Sequence, residues 1–384
     1  MRNLCKVLAV ALLLPASASA HGRNGEVAPA PVARAAAAPA VCPGDPITPT
    51  RVITGEFSAT DQGSYVMLPF DVPAGTTAVR VKYCHDQPET PTSAQLKHTL
   101  DLGLYDARET PGEMYDLGEF RGWGGSSHPD TTLSAEGFST EAQYEAKPKG
   151  HVPGKTTRGF TPGPVKPGEW AVELGLAAII GQSGGDLDGK VAYRVEIELS
   201  SDPAFADEPY KPTPYDSTPA RTGAAWYAGD LHTHADHSAL GDATMREVFD
   251  FAFKPVKDGG AGMDFITLSD YVGGSQHDEI GRFQPAYPGK LVVRSAEIIT
   301  YRGHTNNHAS ATKVDYRTGP VLERSPLGVL DVKRPARPPS EIFDAVRAGG
   351  GFTQINHPTI FPSEVPAFAA LCRGCPWDLS LIHI

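Results

Sequence analysis

The sequence predicts an antiparallel β-sandwich followed by an incomplete, distorted (β/α)7 barrel. Three observations support this fold class. Segments in which apolar and polar residues alternate, separated by Gly and Pro, recur between residues 45 and 200. After residue 226, short apolar runs alternate with segments of helical spacing. The composition, with 40 Gly, 35 Pro and 8% aromatic residues, favours short strands joined by many loops.

The first 20 residues have the pattern of an export signal. Arg2 and Lys6 precede an apolar run at 7–14, and Ala-Ser-Ala at 18–20 offers a cleavage site. The apolar run is too short to span a bilayer. We therefore expect residues 1–20 to be removed and the protein to be exported, either periplasmic or secreted. An uncleaved membrane anchor is the alternative.

Charge and hydropathy narrow the range of partners. The formal net charge is −11, from 45 acidic and 34 basic residues, and no block of Lys and Arg stands out. This balance argues against a nucleic-acid partner. No segment after the signal has the roughly 20 apolar residues that a membrane span needs, so none is predicted. The oligomeric state cannot be predicted from the sequence.

Four cysteines follow the signal, an even number that suits an oxidising compartment. Cys42–Cys84 and Cys372–Cys375 are plausible disulfides, but the sequence leaves the pairing open. The Cys-x-x-Cys pair could also be a redox pair or half of a zinc site. A disulfide is favoured because no second Cys-x-x-Cys lies nearby.

The first half of the chain is predicted to be a leader, a sandwich and a linker. Residues 21–44 are rich in Ala and Pro and are predicted to be disordered. The sandwich is predicted over residues 45–200, with alternating strands at 64–70, 77–83, 169–174 and 191–199. Residues 201–225 contain several prolines and are predicted to be the linker.

The second half, residues 226–378, is predicted to be an α/β domain. A first strand is predicted at 226–227, and Thr244 and Glu247 then form a capping box that begins a helix. A second helix is predicted from Ser340 through Val346, ending at Gly349. The other short strands are predicted at 265–268, 291–293 and 352–355. This alternation predicts parallel strands.

Polar residues that can bind a metal follow four successive predicted strands. They are Asp230, His232 and His234, then Ser269 and Asp270, then Glu297, and finally Asn356 and His357. The carboxyl ends of parallel strands meet on one face of an α/β barrel, so these side chains are expected to converge. Two histidines spaced by two on a strand also point to the same face.

These residues resemble the PHP family, the polymerase-and-histidinol-phosphatase metallohydrolases, and most closely its carbaryl-hydrolase-like branch. The resemblance covers about residues 226–378 and rests on four motifs: GDLHTH at 229–234, DFITLSD at 264–270, EIITYRGH at 297–304 and GGFTQINHP at 350–358. Two further segments look like the β domain that precedes the catalytic domain in this branch. They are FRGWGG at 120–125 and PGEWAVELG at 167–175.

The resemblance implies a site with two or three divalent transition metals, zinc, manganese or iron. It implies that His232 and His234 hold the first metal and that Glu297 bridges two metals. It also implies that His304 and His357 complete the neighbouring sites. The candidate catalytic residues are Glu297, Asp270 and His277. The expected reaction is direct attack by metal-bound hydroxide, without a covalent enzyme intermediate.

The chain departs from the family pattern at two places within these motifs. The family usually has Ser-Asp-Gly after the two histidines, whereas residues 238–242 read SALGD, so Asp242, or alternatively His237, is expected to take that ligand role. The second motif usually ends in histidine, where this chain has Tyr271. A neutral phenol is a poor ligand, so one metal site is expected to be altered or empty unless Asp270 or His277 compensates.

The predicted barrel is also unfinished. Residues 226–384 are too few for a full eight-stranded barrel, which takes roughly 250 residues. The family's last motif, an aspartate followed by a histidine or asparagine, is missing from the sequence. Residues 379–384 resemble translated adapter sequence and are treated as non-native. We therefore expect the chain to be a fragment.

Two further residues can be interpreted in two ways. His308 is either another metal ligand or an exposed histidine. Trp123, which lies among glycines, is either a sugar-stacking platform or a packed aromatic residue, and packing is favoured because no neighbouring aromatic residue completes a platform.

Three functions are compatible with this pattern. The first is a metal-dependent phosphoesterase, the activity of most of the family. The second is hydrolysis of carboxylic or carbamic esters, suggested by the carbaryl-hydrolase-like branch. The third is a non-catalytic binding protein, in which Tyr271 marks a degenerate metal site. The two catalytic hypotheses share a small-molecule substrate, either an ester or a phosphoester.

Overall fold

The computed structural model describes residues 37–94, 96–138, 151–213, 215–218, 224–238, 241 and 243–357. All of these residues belong to one compact unit. The predicted export signal, Asp242, Cys372, Cys375 and the tail at 379–384 lie outside the described residues.

The described residues form fifteen strands and three α-helices, joined by short 3-10 turns. The strands are β1 (Arg51–Ser58), β2 (Tyr65–Val72), β3 (Ala78–His85), β4 (Thr99–Tyr105), β5 (Phe120–Gly125), β6 (Asp130–Ser134), β7 (Gly168–Ala178), β8 (Lys190–Ser200), β9 (Gly229–Thr233), β10 (Phe265–Leu268), β11 (Leu291–Thr300), β12 (Gly303–His308), β13 (Val321–Arg324), β14 (Leu330–Arg334) and β15 (Phe352–Ile355). The helices are α1 (Met245–Phe253), α2 (Ile280–Phe283) and α3 (Ser340–Ala348).

Two sheets share the larger hydrophobic core. One has the order β1-β8-β3-β6 and the other the order β14-β13-β2-β7-β4-β5. Val79 and Val81 of β3 lie in this core together with Val172 and Leu174 of β7. Residues two apart on a strand point to the same face, so the alternating sequence pattern buries one face of each sheet. The strands predicted at 64–70, 77–83, 169–174 and 191–199 are confirmed as β2, β3, β7 and β8.

The chain returns to the six-stranded sheet late in the sequence. Strand β13 pairs in parallel with β2, with Val321 opposite Tyr65, and β14 pairs with β13 in the antiparallel sense. Val321 is buried in a second core that also contains Ile298 and Val314. Residues 321–334 therefore extend a sheet that is otherwise built from the first 200 residues.

The third sheet carries most of the polar motifs. Its order is β15-β12-β11-β10-β9. Strands β9, β10 and β11 are parallel, whereas β12 is antiparallel to both β11 and β15. Strand β15 therefore runs in the same direction as β9, β10 and β11. The carboxyl ends of these four strands point the same way.

Both predicted helices are present. The backbone N–H of Glu247 donates to the Thr244 hydroxyl over 3.2 Å, and the Glu247 carboxylate accepts the Thr244 N–H over 2.8 Å, which confirms the capping box of α1. Helix α3 begins at Ser340 and is followed by Gly349, as predicted. Among the described residues, no helix has the length and hydropathy required to cross a membrane.

The predicted (β/α)7 barrel is wrong. The described residues form three sheets with three short helices, and a (β/α)7 barrel would need many more helices. The error lies partly in β11, which the sequence predicts to end at residue 293 but which continues to Thr300 through Ile298 and Ile299. Such β-branched residues favour extended backbone. The Thr300 hydroxyl donates to the Gly303 carbonyl over 2.8 Å, which helps to close a hairpin turn in place of a helix.

Candidate metal centre

Four segments of the third sheet bring the predicted ligands to one place. His232 lies near the end of β9, and His234 follows that strand. Glu297 lies in the extended part of β11, beyond the end of β10, where its backbone pairs with Tyr271. His304 lies on β12, and His357 follows β15. The common direction of β9, β11 and β15 is what places these side chains together.

Glu297 is the centre of this cluster. Its Oε2 lies 3.2 Å from Nε2 of His232 and 3.2 Å from Nε2 of His234. Its Oε1 lies 3.2 Å from Nδ1 of His304 and 3.1 Å from Nε2 of His357. The Glu297 side chain is only 2% exposed. One buried carboxylate thus contacts four imidazoles, which we call the Glu297 cluster.

The donor set of this cluster fits a divalent transition metal. Ligand atoms of His232, Glu297 and His357 all lie within 4.8 Å of one another. Imidazole nitrogen with carboxylate oxygen is a ligand set typical of zinc, manganese and non-haem iron. Among the described residues this is one group of three. The expectation of two or three ions stays a prediction.

The tautomer of His234 also suits a ligand role. The Ser238 hydroxyl donates to Asp270 Oδ1 over 2.8 Å, so it accepts a hydrogen bond from Nδ1 of His234, which is 2.8 Å away. The proton of a neutral His234 is then fixed on Nδ1, and the Nε2 lone pair faces His232 and Glu297. Outer hydrogen bonds of this kind orient metal-binding histidines in many proteins.

The electrostatic environment of the cluster favours a positive charge. Burial raises the pKa of Glu297, but hydrogen bonds from the surrounding histidines outweigh burial and bring its pKa well below the usual range. Burial lowers the pKa of His234, but the neighbouring carboxylates of Asp270 and Glu297 outweigh burial and raise this pKa to about 9. Both shifts have the direction expected where carboxylates and a neighbouring positive charge stabilise each other.

Asp270 supports the cluster from behind His234. Its side chain is fully buried, and Oδ1 accepts hydrogen bonds from the Ala235 amide over 2.7 Å and from Ser238. Oδ1 also lies 3.7 Å from Nδ1 of His234, and burial raises the pKa of this carboxyl. Oδ2 has no hydrogen-bond partner in the part of the chain described. Asp270 is thus placed to orient His234.

Two asparagines also support the cluster, Asn356, which the sequence places among the converging polar residues, and Asn306, which was not predicted. Nδ2 of Asn356 donates to Glu297 Oε1 over 2.9 Å and to Asn306 Oδ1 over 2.8 Å. Asn306 lies directly opposite Glu297 in the β11–β12 hairpin. Asn356 belongs to a motif already identified, but Asn306 required the register of a hairpin that the sequence analysis did not predict.

Tyr271 lies against the cluster without joining its ligands. Its ring centroid is 4.9 Å from that of His234, and the Trp123 ring meets it in an edge-on contact at 6.0 Å. Burial raises the pKa of the phenol to about 12, so it stays neutral. Trp123 is 6% exposed, which agrees with the favoured interpretation of a packed aromatic residue.

Three predicted or alternative candidates lie elsewhere. Nε2 of His277 donates to the Ser295 carbonyl over 2.8 Å, and Nδ1 of His237 lies 3.0 Å from the Ser275 hydroxyl. His308 is buried, 3.0 Å from the Ser295 hydroxyl, so its interpretation as an exposed histidine is wrong. The structure does not place these residues in contact with Glu297, and Asp242 lies outside the described residues.

The backbone at His357 is strained. Its φ is 26°, in a region that residues other than glycine rarely adopt. Such strain is found most often at functional sites, where neighbouring contacts hold it in place. Here Glu297 contacts the side chains of both His357 and Asn356, and these two contacts hold the strained backbone of His357 in place.

No protein-family model, curated protein or solved structure matches this chain. The resemblance to the PHP family therefore depends on the motifs described above.

Proposed function

We propose that this protein is an exported metal-dependent hydrolase related to the PHP enzymes, and that its substrates are phosphoesters. The observation that carries the proposal is the Glu297 cluster, in which one buried carboxylate contacts four imidazoles. Polar groups are rarely gathered at this density for stability alone, because burying them has a desolvation cost. A binding or catalytic role accounts for that cost.

His232, Glu297 and His357 are the residues we propose to hold the metal, with His234 and His304 as further ligands. A bound divalent cation supplies Lewis acidity, which polarises an ester and brings the pKa of coordinated water towards neutrality. Asp270 and Ser238 orient His234, and Asn356 orients Glu297.

Phosphoesters are favoured because the site has more imidazoles than the group of three ligands uses. His234 and His304 lie outside the group of three and within 3.2 Å of Glu297. As ligands of a further cation, they would place a second positive charge where it stabilises the anionic oxygens of a phosphoryl group.

A serine nucleophile is a poor alternative for this site. The Ser238 hydroxyl lies beside His234, but it is 1% exposed and donates to Asp270. A buried hydroxyl engaged in this way has no open path to a substrate. Hydrolysis without a covalent enzyme intermediate is the simpler account.

Carboxylic or carbamic esters are the second candidate class of substrate. The aromatic ring of Tyr271 favours them. The Tyr271 ring lies beside His234, with 4.9 Å between the ring centroids, and packs on the buried Trp123. An apolar surface at that position suits a substrate with an aromatic or alkyl group better than a compact phosphate.

Export is supported by two features of different kinds. The sequence begins with a signal-like segment, and Cys42 and Cys84 are joined by a disulfide. Disulfides persist mainly in oxidising compartments such as the periplasm and the cell exterior.

The test is an assay of the purified protein on p-nitrophenyl phosphate, bis-p-nitrophenyl phosphate and naphthyl acetate, after loading with zinc, manganese or iron. Phosphate release that a chelator abolishes supports the phosphoesterase. Chelator-sensitive cleavage of the naphthyl ester alone supports the second class. If no substrate is cleaved and metal analysis finds less than one equivalent per chain, a non-catalytic binding protein is the better account.

A further inference from the structure

A cavity, which we call the Arg294 cavity, lies against one face of the third sheet. It has a volume of about 220 Å³, and its walls include Val272, His277, Asp278, Arg294, Asn307 and Lys313. Ala296 and Ile298 also line it, whereas Glu297 lies between them on the same strand. Because successive residues of a strand face opposite sides, this Arg294 cavity and the Glu297 cluster lie on opposite faces of the sheet.

Two cations line the Arg294 cavity, the partly buried Arg294 and the exposed Lys313, and neither has a polar partner among the residues described. The Arg294 guanidinium lies over the Tyr215 ring, with 4.9 Å from Cζ to the ring centroid. That contact occupies a face of the guanidinium and leaves its N–H edge available. Within the described ranges, neither Arg294 nor Lys313 makes a side-chain hydrogen bond or ion pair, and both line the cavity.

A buried amide adds a polar group to the cavity wall. Asn307 is 7% exposed and lines the cavity, and its Oδ1 is a buried atom with no hydrogen-bond partner among the residues described. Buried polar atoms are nearly always paired, so this acceptor calls for a donor in the cavity, either a water or an N–H or O–H group of a ligand.

The charges of the wall indicate what the ligand is. Arg294 and Lys313 contribute two positive charges and Asp278 one negative charge, while burial lowers the pKa of His277 to about 4 and keeps it neutral. The net charge of +1 calls for a ligand of charge −1. Val272, Ile298 and Val314 provide apolar surface beside the cations.

We propose that the Arg294 cavity binds a small organic monocarboxylate with an apolar body. The carboxylate accepts hydrogen bonds from Arg294 and Lys313, and the apolar body lies against Val272 and Val314. A water bound beside the ligand donates to Oδ1 of Asn307. This site is separate from the Glu297 cluster and does not depend on the proposed hydrolase activity.

The test is calorimetric titration of the chelator-treated protein with benzoate, benzamide and inorganic phosphate at constant ionic strength. We expect saturable binding of one benzoate per chain. Benzamide lacks the charge and phosphate lacks the apolar body, so both should bind at least about tenfold more weakly, the range expected when a charged hydrogen bond or an apolar contact is lost.

Variants locate the binding. Arg294→Met and Lys313→Met should each weaken benzoate binding by about tenfold or more, whereas Lys257→Met, which removes an exposed lysine elsewhere, should leave it unchanged. Asp278→Asn should tighten it, because a repelling charge is removed, and an unfolded protein could not show that gain. The proposal is overturned if benzoate does not bind, if binding survives both Met substitutions, or if phosphate binds equally well.

Discussion

The side-chain amide of Asn356 donates a hydrogen bond of 2.9 Å to Oε1 of Glu297, the oxygen that also faces His304 and His357. The same amide bonds Asn306 on the neighbouring strand. Asn356 is 1% exposed, so both bonds are shielded from water. This asparagine fixes the orientation of the Glu297 carboxylate.

We predict that Asn356→Ala weakens metal binding without unfolding the protein. Outer hydrogen-bond partners of metal ligands typically contribute about 10–100-fold to metal affinity, and we expect a loss in that range. Competition with a chromophoric chelator measures the affinity. The control is Gln87→Ala, which removes an exposed side-chain amide outside the cluster and should leave the affinity unchanged. Native affinity in Asn356→Ala would show that this hydrogen bond has no part in metal binding.

A second prediction concerns the cluster itself. Glu297→Gln removes the charge that all four imidazoles share, and His234→Ala removes one of the imidazoles. Each change should remove most of the bound metal and most of the activity, by more than the roughly 10–100-fold expected for an outer partner. Metal analysis and the ester assays measure the two losses together.

The matched control is Glu113→Gln, which makes the same chemical change at an exposed position outside the cluster. Thermal unfolding followed by circular dichroism should show that the sandwich sheets remain folded in every variant. Full turnover by either cluster variant would contradict the proposed site.

The convergence of the site could be predicted from the sequence because it depends on few assumptions. His232 and Glu297 lie on strands β9 and β11, and His357 follows β15, which runs in the same direction. The sequence indicates this direction because each apolar run is followed by polar residues. Strands of the same direction bring their carboxyl ends together, and the structure places His232 and His357 3.2 Å and 3.1 Å from the Glu297 carboxylate.

The fold around the site could not be predicted in the same way. Nothing local in β13 indicates that Val321 pairs with Tyr65, which precedes it by most of the chain. The hairpin after Thr300 was not predicted because Arg294 and Ser295 interrupt the apolar run of β11, so the strand was expected to end at residue 293. His277 fitted the motif by position, but its ring donates to the Ser295 carbonyl.

A third prediction concerns the Cys42–Cys84 disulfide, which closes a loop with a sequence separation of 42. A cross-link of that length restricts the unfolded chain by about 4 kcal/mol in the chain-entropy account. We expect the double variant Cys42→Ala and Cys84→Ala to lose stability of that order in denaturant unfolding. A reducing agent should destabilise the native protein more than the double variant, which keeps only Cys372 and Cys375 after the signal. Equal effects on both proteins would contradict the assignment.

A fourth prediction concerns Glu173, which is fully buried on β7. Its two carboxylate oxygens accept hydrogen bonds from the hydroxyls of Tyr316 and Tyr105, at 2.5 Å and 3.1 Å. Arg317 lies 3.9 Å away but is already paired with Asp315 at 2.9 Å. Burial raises the pKa of Glu173 to about 7, although Arg317 and the Tyr316 hydrogen bond oppose that rise.

The raised pKa makes stability depend on pH. The unfolded chain releases this proton near pH 4.5, whereas the folded protein holds it until about pH 7. The contribution of Glu173 to stability is therefore fully present below pH 4.5 and is lost as pH rises through 7, by on the order of 3 kcal/mol. Glu173→Gln carries no charge at any pH, so its stability relative to the native protein should rise between pH 5 and pH 8. Denaturant unfolding at several pH values measures this difference, with Glu113→Gln as the exposed control. A constant difference between Glu173→Gln and the native protein across that range would show that Glu173 is ionised throughout.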